Sequence, residues 1–185
     1  MKPLLALAAP LAAALAAALP GCTTAQNNAA ARPALAAAAS DADRAALLDR
    51  VKGLEGEWLM KDESGQMVPG AIFKVSSGGS AVREIMFPGS DHEMTNIYHM
   101  DGRSLVMTHY CAAGNQPRMR AAASAGPVID LRFDSVTNWD GSGDHFMGGM
   151  KLTLVDADHI RQDWTSYDRD GKPAGNVVFD LTRKK

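Results

Sequence analysis

The sequence predicts an all-β domain, an antiparallel meander of about ten strands closed into a barrel, with one short helix before it. Three observations carry this. Apolar residues recur at helical spacing over one stretch, Leu47, Leu48, Val51 and Leu54. From Glu57 to the C-terminus the alternation has a period of two. The breaks between alternating runs hold turn residues: Ser77-Gly78-Gly79, Pro88-Gly89-Ser90-Asp91, Asp101-Gly102, Gly126-Pro127, Asp140-Gly141-Ser142-Gly143, Asp156-Ala157-Asp158 and Asp168-Arg169-Asp170-Gly171. So many short strands must hide their edges, either by closing into a barrel or by stacking as a sandwich. No self-similar period of about 20–50 residues suggests a propeller.

The elements follow in order. Residues 1–21 have the layout of a secretory signal: Lys2, an apolar run from Leu4 to Leu19, then small residues. As a helix that run reaches about 24 Å, short of a bilayer core of about 30 Å. Its end, Leu19-Pro20-Gly21-Cys22, resembles the bacterial lipobox, in which the cysteine is lipidated and becomes the mature N-terminus. Leu19, Gly21 and Cys22 match; Pro20 departs from the pattern. An ordinary secretory signal cut near Thr24-Ala25 is the alternative. Thr23 stands where an aspartate would resemble an inner-membrane retention signal. The resemblance therefore implies anchoring through Cys22 in the outer membrane, facing the periplasm. Residues 22–39, mostly Ala with Thr, Gln, Asn and Pro, have little to bury and read as a tether.

Residues 40–185 make one domain. Ser40-Asp41-Ala42-Asp43 supplies an N-cap and first-turn acids, and Gly53 is a stop. Strands are expected at 57–61, 70–76, 81–87, 93–100, 104–111, 118–124, 128–134, 145–155, 159–166 and 176–182. A net charge of −2, a pI near 6.2 and no basic stripe argue against a nucleic-acid partner.

Gly56-Glu57-Trp58, after a short helix and opening the first strand, resembles the G-x-W signature of the lipocalins and their calycin relatives. That resemblance implies a barrel whose Trp58 packs at the closed end, covered by Arg183 from the last strand. The stretches Tyr98–Gly102, His109–Met119 and Leu154–His159 are also similar to an uncharacterised bacterial lipocalin-like family. The similarity spans most of residues 54–185 and implies no substrate.

The stretch THYCAAGNQPRM, residues 108–119, gathers a histidine, a thiol and an arginine. Alternation puts Met107, His109 and Cys111 on one strand face. A hairpin at Asp101-Gly102 adds Met94, Asn96, Tyr98 and Met100 to it, with His99 opposite. A two-residue loop sets Met94 against His109; a four-residue loop sets Asn96 there. Residues i and i+2 lie about 6.6–6.8 Å apart, whereas a nucleophile and its base need about 2.6–3.2 Å. His109 and Cys111 are therefore no catalytic couple. Two ligands also fall short of the three or four that zinc requires, and His145 and His159 face away from the apolar side of their hairpin. Neither a metal nor a cofactor is expected. The Asp- and Gly-rich loop Asn138–Asp144 lacks the distal Glu of a calcium loop.

Two readings of the face remain open. His109 and Cys111 are packed barrel residues, or Asn96, Tyr98, Met107, His109 and Cys111 line a pocket for a small apolar or amphipathic molecule. The expectation is an envelope lipoprotein that binds such a ligand inside its barrel. The alternatives are a solid barrel serving structure or protein interaction, and a hydrolase using His109 with Arg118 or Tyr98. Ala112–Pro117 is expected to form the loop at the barrel mouth, with Arg118 opening the next strand.

Overall fold

The computed structural model describes residues 36–139 and 145–185. The signal, Cys22 and most of the tether lie outside the described residues, as does the Asp140–Asp144 part of the acidic loop. The domain is the expected closed antiparallel barrel. Its ten strands are β1 (Gly56–Lys61), β2 (Met67–Ser76), β3 (Ala81–Met86), β4 (Met94–Asp101), β5 (Ser104–Tyr110), β6 (Gln116–Ala122), β7 (Val128–Thr137), β8 (His145–Leu154), β9 (His159–Asp168) and β10 (Pro173–Arg183). Each strand pairs with its neighbours in sequence, and β1 closes the ring against β10.

The single helix expected is two short ones, α1 (Asp41–Ala46) and α2 (Leu48–Lys52), broken at Leu47 (φ −128°, ψ −79°). The reason is local. Leu47 and Leu48 are both 1% exposed, and the break lets two successive side chains bury on one side of the chain. Ser40 caps α1 as expected, its Oγ accepting from the Asp43 N–H at 3.1 Å. Strand β2 starts earlier than expected and contains Pro69. The ladder shifts register between Trp58 and Leu59, leaving Gly70 as the extra residue of a bulge, where a proline is tolerated. A Cβ on Gly70 would sit 2.5 Å from Leu181 Cδ2 and 3.0 Å from Met60 Cγ, so a larger residue there would force these side chains to shift.

The helices, the start of β1 and the end of β10 close one end of the barrel. Arg50 Nη2 donates to Gly126 O in the β6–β7 turn at 3.1 Å. Trp58 is 1% exposed, and its Nε1 donates to Leu54 O at 2.8 Å. The Arg183 guanidinium lies 4.4 Å over the Trp58 ring, as the calycin resemblance implied. It also donates to three carbonyls, Ala157 O at 3.1 Å, Glu55 O at 2.8 Å and Gly53 O at 2.9 Å. One residue thus ties the last strand to the end of α2 and to the β8–β9 turn. Above this plug, Phe73, Leu105, Ile129, Leu131, Leu152, Ile160 and Leu181 form one apolar core.

Candidate functional site

The β3–β4–β5 register sets Glu84 opposite Asn96 and Asn96 opposite His109. Residues directly opposed across strands stand about 4.5–5.5 Å apart at their Cβ atoms, close enough for side chains to bond in series. Asn96 faces His109, but through a two-residue loop, Gly102-Arg103, because Asp101 pairs with Ser104. The four-residue loop tied to that register is corrected: Gly102 takes φ 57°, and the turn forms one residue later than Asp101-Gly102.

These three residues belong to a polar network sealed in the barrel. Asn96 Nδ2 donates to Glu84 Oε2 at 2.7 Å, and Tyr98 OH donates to the same oxygen at 2.6 Å. From the opposite wall, Gln162 Nε2 donates to Glu84 Oε1 at 2.6 Å and Trp164 Nε1 donates to Gln162 Oε1 at 3.0 Å. The Glu84–Gln162 bond crosses the lumen from β3 to β9 and makes a polar floor. Glu84, Asn96, Tyr98 and Gln162 are each 0% exposed and His109 is 1% exposed. His109 and Trp164 bring their rings to 4.8 Å between centroids.

Donor chemistry fixes the orientation of every group. An indole N–H only donates, so Gln162 turns its oxygen to Trp164 and its nitrogen to Glu84. Asn96 spends its nitrogen on Glu84, with a further contact to Met86 Sδ at 3.3 Å. Its oxygen therefore faces His109, and His109 Nδ1, at 2.7 Å, carries the proton and donates. The other ring nitrogen, Nε2, is a bare lone pair, buried and without a partner among the described residues. Burial holds the imidazole pKa down to about 4, so the ring is neutral at pH 7. Burial also pushes the Glu84 carboxyl up, against the downward pull of its three donors. Burial and the adjoining Glu84 push the Tyr98 phenol well up, so it stays protonated and donating.

Of the five residues expected to line a pocket, Asn96, Tyr98, Met107 and His109 come together inside. Cys111 lies one residue past the end of β5, half-buried in the turn, its N–H donating to Asn115 O at 3.1 Å. The burial pattern, His109 buried, Tyr110 exposed and Cys111 half-buried, carries the alternation to this residue. Ala112–Asn115 is the expected loop, although β6 begins two residues before Arg118. Arg118 does not reach His109 either. It lies outside, 3.3 Å from Asp101 and 3.4 Å from Asp134, so a hydrolytic pair with His109 is not assembled. Met119, its neighbour, takes the inward position.

Glu84, Gln162 and the polar role of Trp164 were missed, though the signal was present. Val82, Glu84 and Met86 share one face, as do Ile160, Gln162 and Trp164, so a charge and an amide stand inside apolar alternations.

His109 sits one residue from the end of β5, at the barrel end opposite the helices. The β7–β8 ladder runs from Val128–Thr153 to Leu131–Met150 and stops. Beyond it, Phe133 meets Phe146 at 5.1 Å between centroids, and Trp139 meets Phe146 at 4.8 Å. The wall there is closed by aromatic side chains instead of backbone bonds.

No protein-family model and no curated protein matches the chain. Among solved structures, the chain is similar to Rv2717c from M. tuberculosis, at 13% identity and a TM-score of 0.52, covering 80% of this chain and all of that one. At that identity the likeness concerns the fold.

Proposed function

We propose that the protein is a lipocalin-like lipoprotein of the bacterial envelope, held by lipid on Cys22 and facing the periplasm, whose barrel binds a small, partly apolar molecule. The observation that carries the binding role is the Nε2 of His109. A buried acceptor left without a partner costs about 1–3 kcal/mol, and a bound donor would recover it. The residues around and above it suit such a guest. Met86, Met94, Met107 and Met119 offer flexible, polarizable walls that adjust to shape. Support for the lipocalin-like reading is Arg183 over Trp58. The anchor rests on the lipobox resemblance at Leu19-x-Gly21-Cys22.

A second reading, a solid barrel serving protein interaction, draws on the apolar core. That core is one buried cluster from Leu47 to Leu181 and takes in Met86, Tyr98, Met107, Met119 and Trp164 around His109 as well. Native mass spectrometry of protein released from the envelope in mild detergent separates the two. The binding reading expects one small non-covalent adduct per chain, lost on unfolding. A bare chain that also takes up no member of an apolar compound set would favour the solid barrel.

A further inference from the structure

We infer that the interior ligand is a neutral hydrogen-bond donor on an apolar body, an alcohol, phenol or N–H heterocycle, which donates to Nε2 of His109. The inference rests on the binding role proposed above and specifies its chemistry.

The tautomer of His109 is set by groups that have no freedom of their own, beginning with Trp164, whose ring lies 4.8 Å from the imidazole between centroids. Trp164 can only donate, so Gln162 presents its oxygen to Trp164 and its N–H to Glu84 Oε1. Glu84 Oε2 accepts from Tyr98 and from Asn96. Asn96 must then show its oxygen to His109, which fixes the proton on Nδ1. Four side chains thus write one tautomer into the ring. The arrangement resembles the carboxylate–histidine pairs that orient metal-binding imidazoles, with an amide inserted between the partners.

What the ring offers a guest is therefore an acceptor. A carbonyl or ether would set lone pair against lone pair. An anion would meet the same lone pair near the Glu84 carboxyl, in a lumen whose described walls hold no buried Lys or Arg. A cation would forfeit its hydration, and the Glu84 oxygens that could replace it already accept from Asn96, Tyr98 and Gln162. A neutral O–H or N–H meets none of these penalties. Its apolar body finds Met86 and Met94 toward the open end, both packed against the core.

Access is supplied by the same end of the barrel. Next to His109 in β5, Thr108 pairs with Arg118 and Arg118 with Ser135, which leads to the part of β7 beyond Leu131. There, among the described residues, no ladder pairs join β7 to β8, and Phe133, Phe146, Tyr167 and Trp139 stand in the seam. Turning side chains is cheaper than breaking a ladder.

The test is calorimetric titration of the intact protein with 4-butylphenol, its methyl ether and 4-butylbenzoate. The phenol is expected to bind one per chain, at least about tenfold tighter than the ether, since the site's buried acceptor is satisfied only by the donor. In His109→Phe, which keeps a ring and removes the acceptor, the phenol and the ether should bind alike. Equal binding of phenol and ether to the unaltered protein, or preference for the benzoate, would overturn the donor inference while leaving the binding role standing. Failure of all three to bind would remove both.

Discussion

Asn96 stands between Glu84 and His109, accepting the His109 Nδ1 proton at 2.7 Å while giving its own N–H to Glu84 at 2.7 Å. A charge-bearing group on one strand thereby sets the proton position of a ring two strands away. The relationship depends on register: a slip of one residue would turn all three side chains outward. The first prediction concerns this chain. In Glu84→Gln one carboxyl oxygen becomes an NH2, which must face either Gln162 Nε2 or Asn96 Nδ2, both donors. Chemical denaturation should show a loss of about 1–3 kcal/mol from that donor–donor conflict. An unchanged midpoint would mean that Glu84 is not the acceptor hub described here.

Stability should fall in mild acid because of His109, and in the same direction because of His99, whose pKa burial also lowers. The His109 pKa drops from 6.5 to about 4 on folding, so between those values the unfolded chain binds the proton and the native one does not. Stability from this group is intact above about pH 6.5 and is lost progressively toward pH 4. The full loss is about 3 kcal/mol. Glu84 runs the other way: its raised pKa stabilises the fold at low pH and that contribution is lost as pH rises through the folded value. Asp62, Asp101 and Asp156 have lowered pKa values and act below their ordinary 3.8, outside the window. The measurement is urea unfolding from pH 7 to 4 for the unaltered chain and His109→Gln. The variant should lose less stability across that range; parallel curves would argue against a neutral buried imidazole.

Arg183→Lys keeps the charge and loses the planar fork that reaches three carbonyls while covering Trp58. A loss of about 2–3 kcal/mol is expected in thermal or urea unfolding, part from the cation–π contact and part from the bonds to carbonyl oxygen. A loss below about 0.5 kcal/mol would show that the plug holds without it.

Cys22→Ser should abolish incorporation of labelled fatty acid and leave the protein unprocessed or released from the membrane. Label retained in that variant would remove the anchor from the account. Cys111, half-exposed in its turn, should react with a maleimide in the native state, and Cys111→Ala should shift stability by no more than about 0.5 kcal/mol.

The barrel was legible in the sequence because its signals are local. Alternation from Glu57 and turns such as Ser77-Gly78-Gly79 are written residue by residue, and the strands fall within a few positions of where they were expected. The site was half legible. Asn96, Tyr98, Met107 and His109 share a face by parity alone, and one hairpin joins them. Gln162 meets Glu84 only because the ring closes, across 78 positions of sequence, and no local pattern encodes that contact. Cys111 stands where parity was hardest to use, one residue past the point where the strand stops.

The most direct measurement is the ring nitrogen spectrum of His109 in protein labelled with 15N, followed from pH 7 to pH 4 by long-range proton correlation. The expected result is a neutral ring with the proton on Nδ1 and a lone pair on Nε2, resisting protonation until about pH 4. A proton on Nε2, or a ring that titrates near its ordinary 6.5, would contradict the network and with it the acceptor that the ligand is proposed to meet.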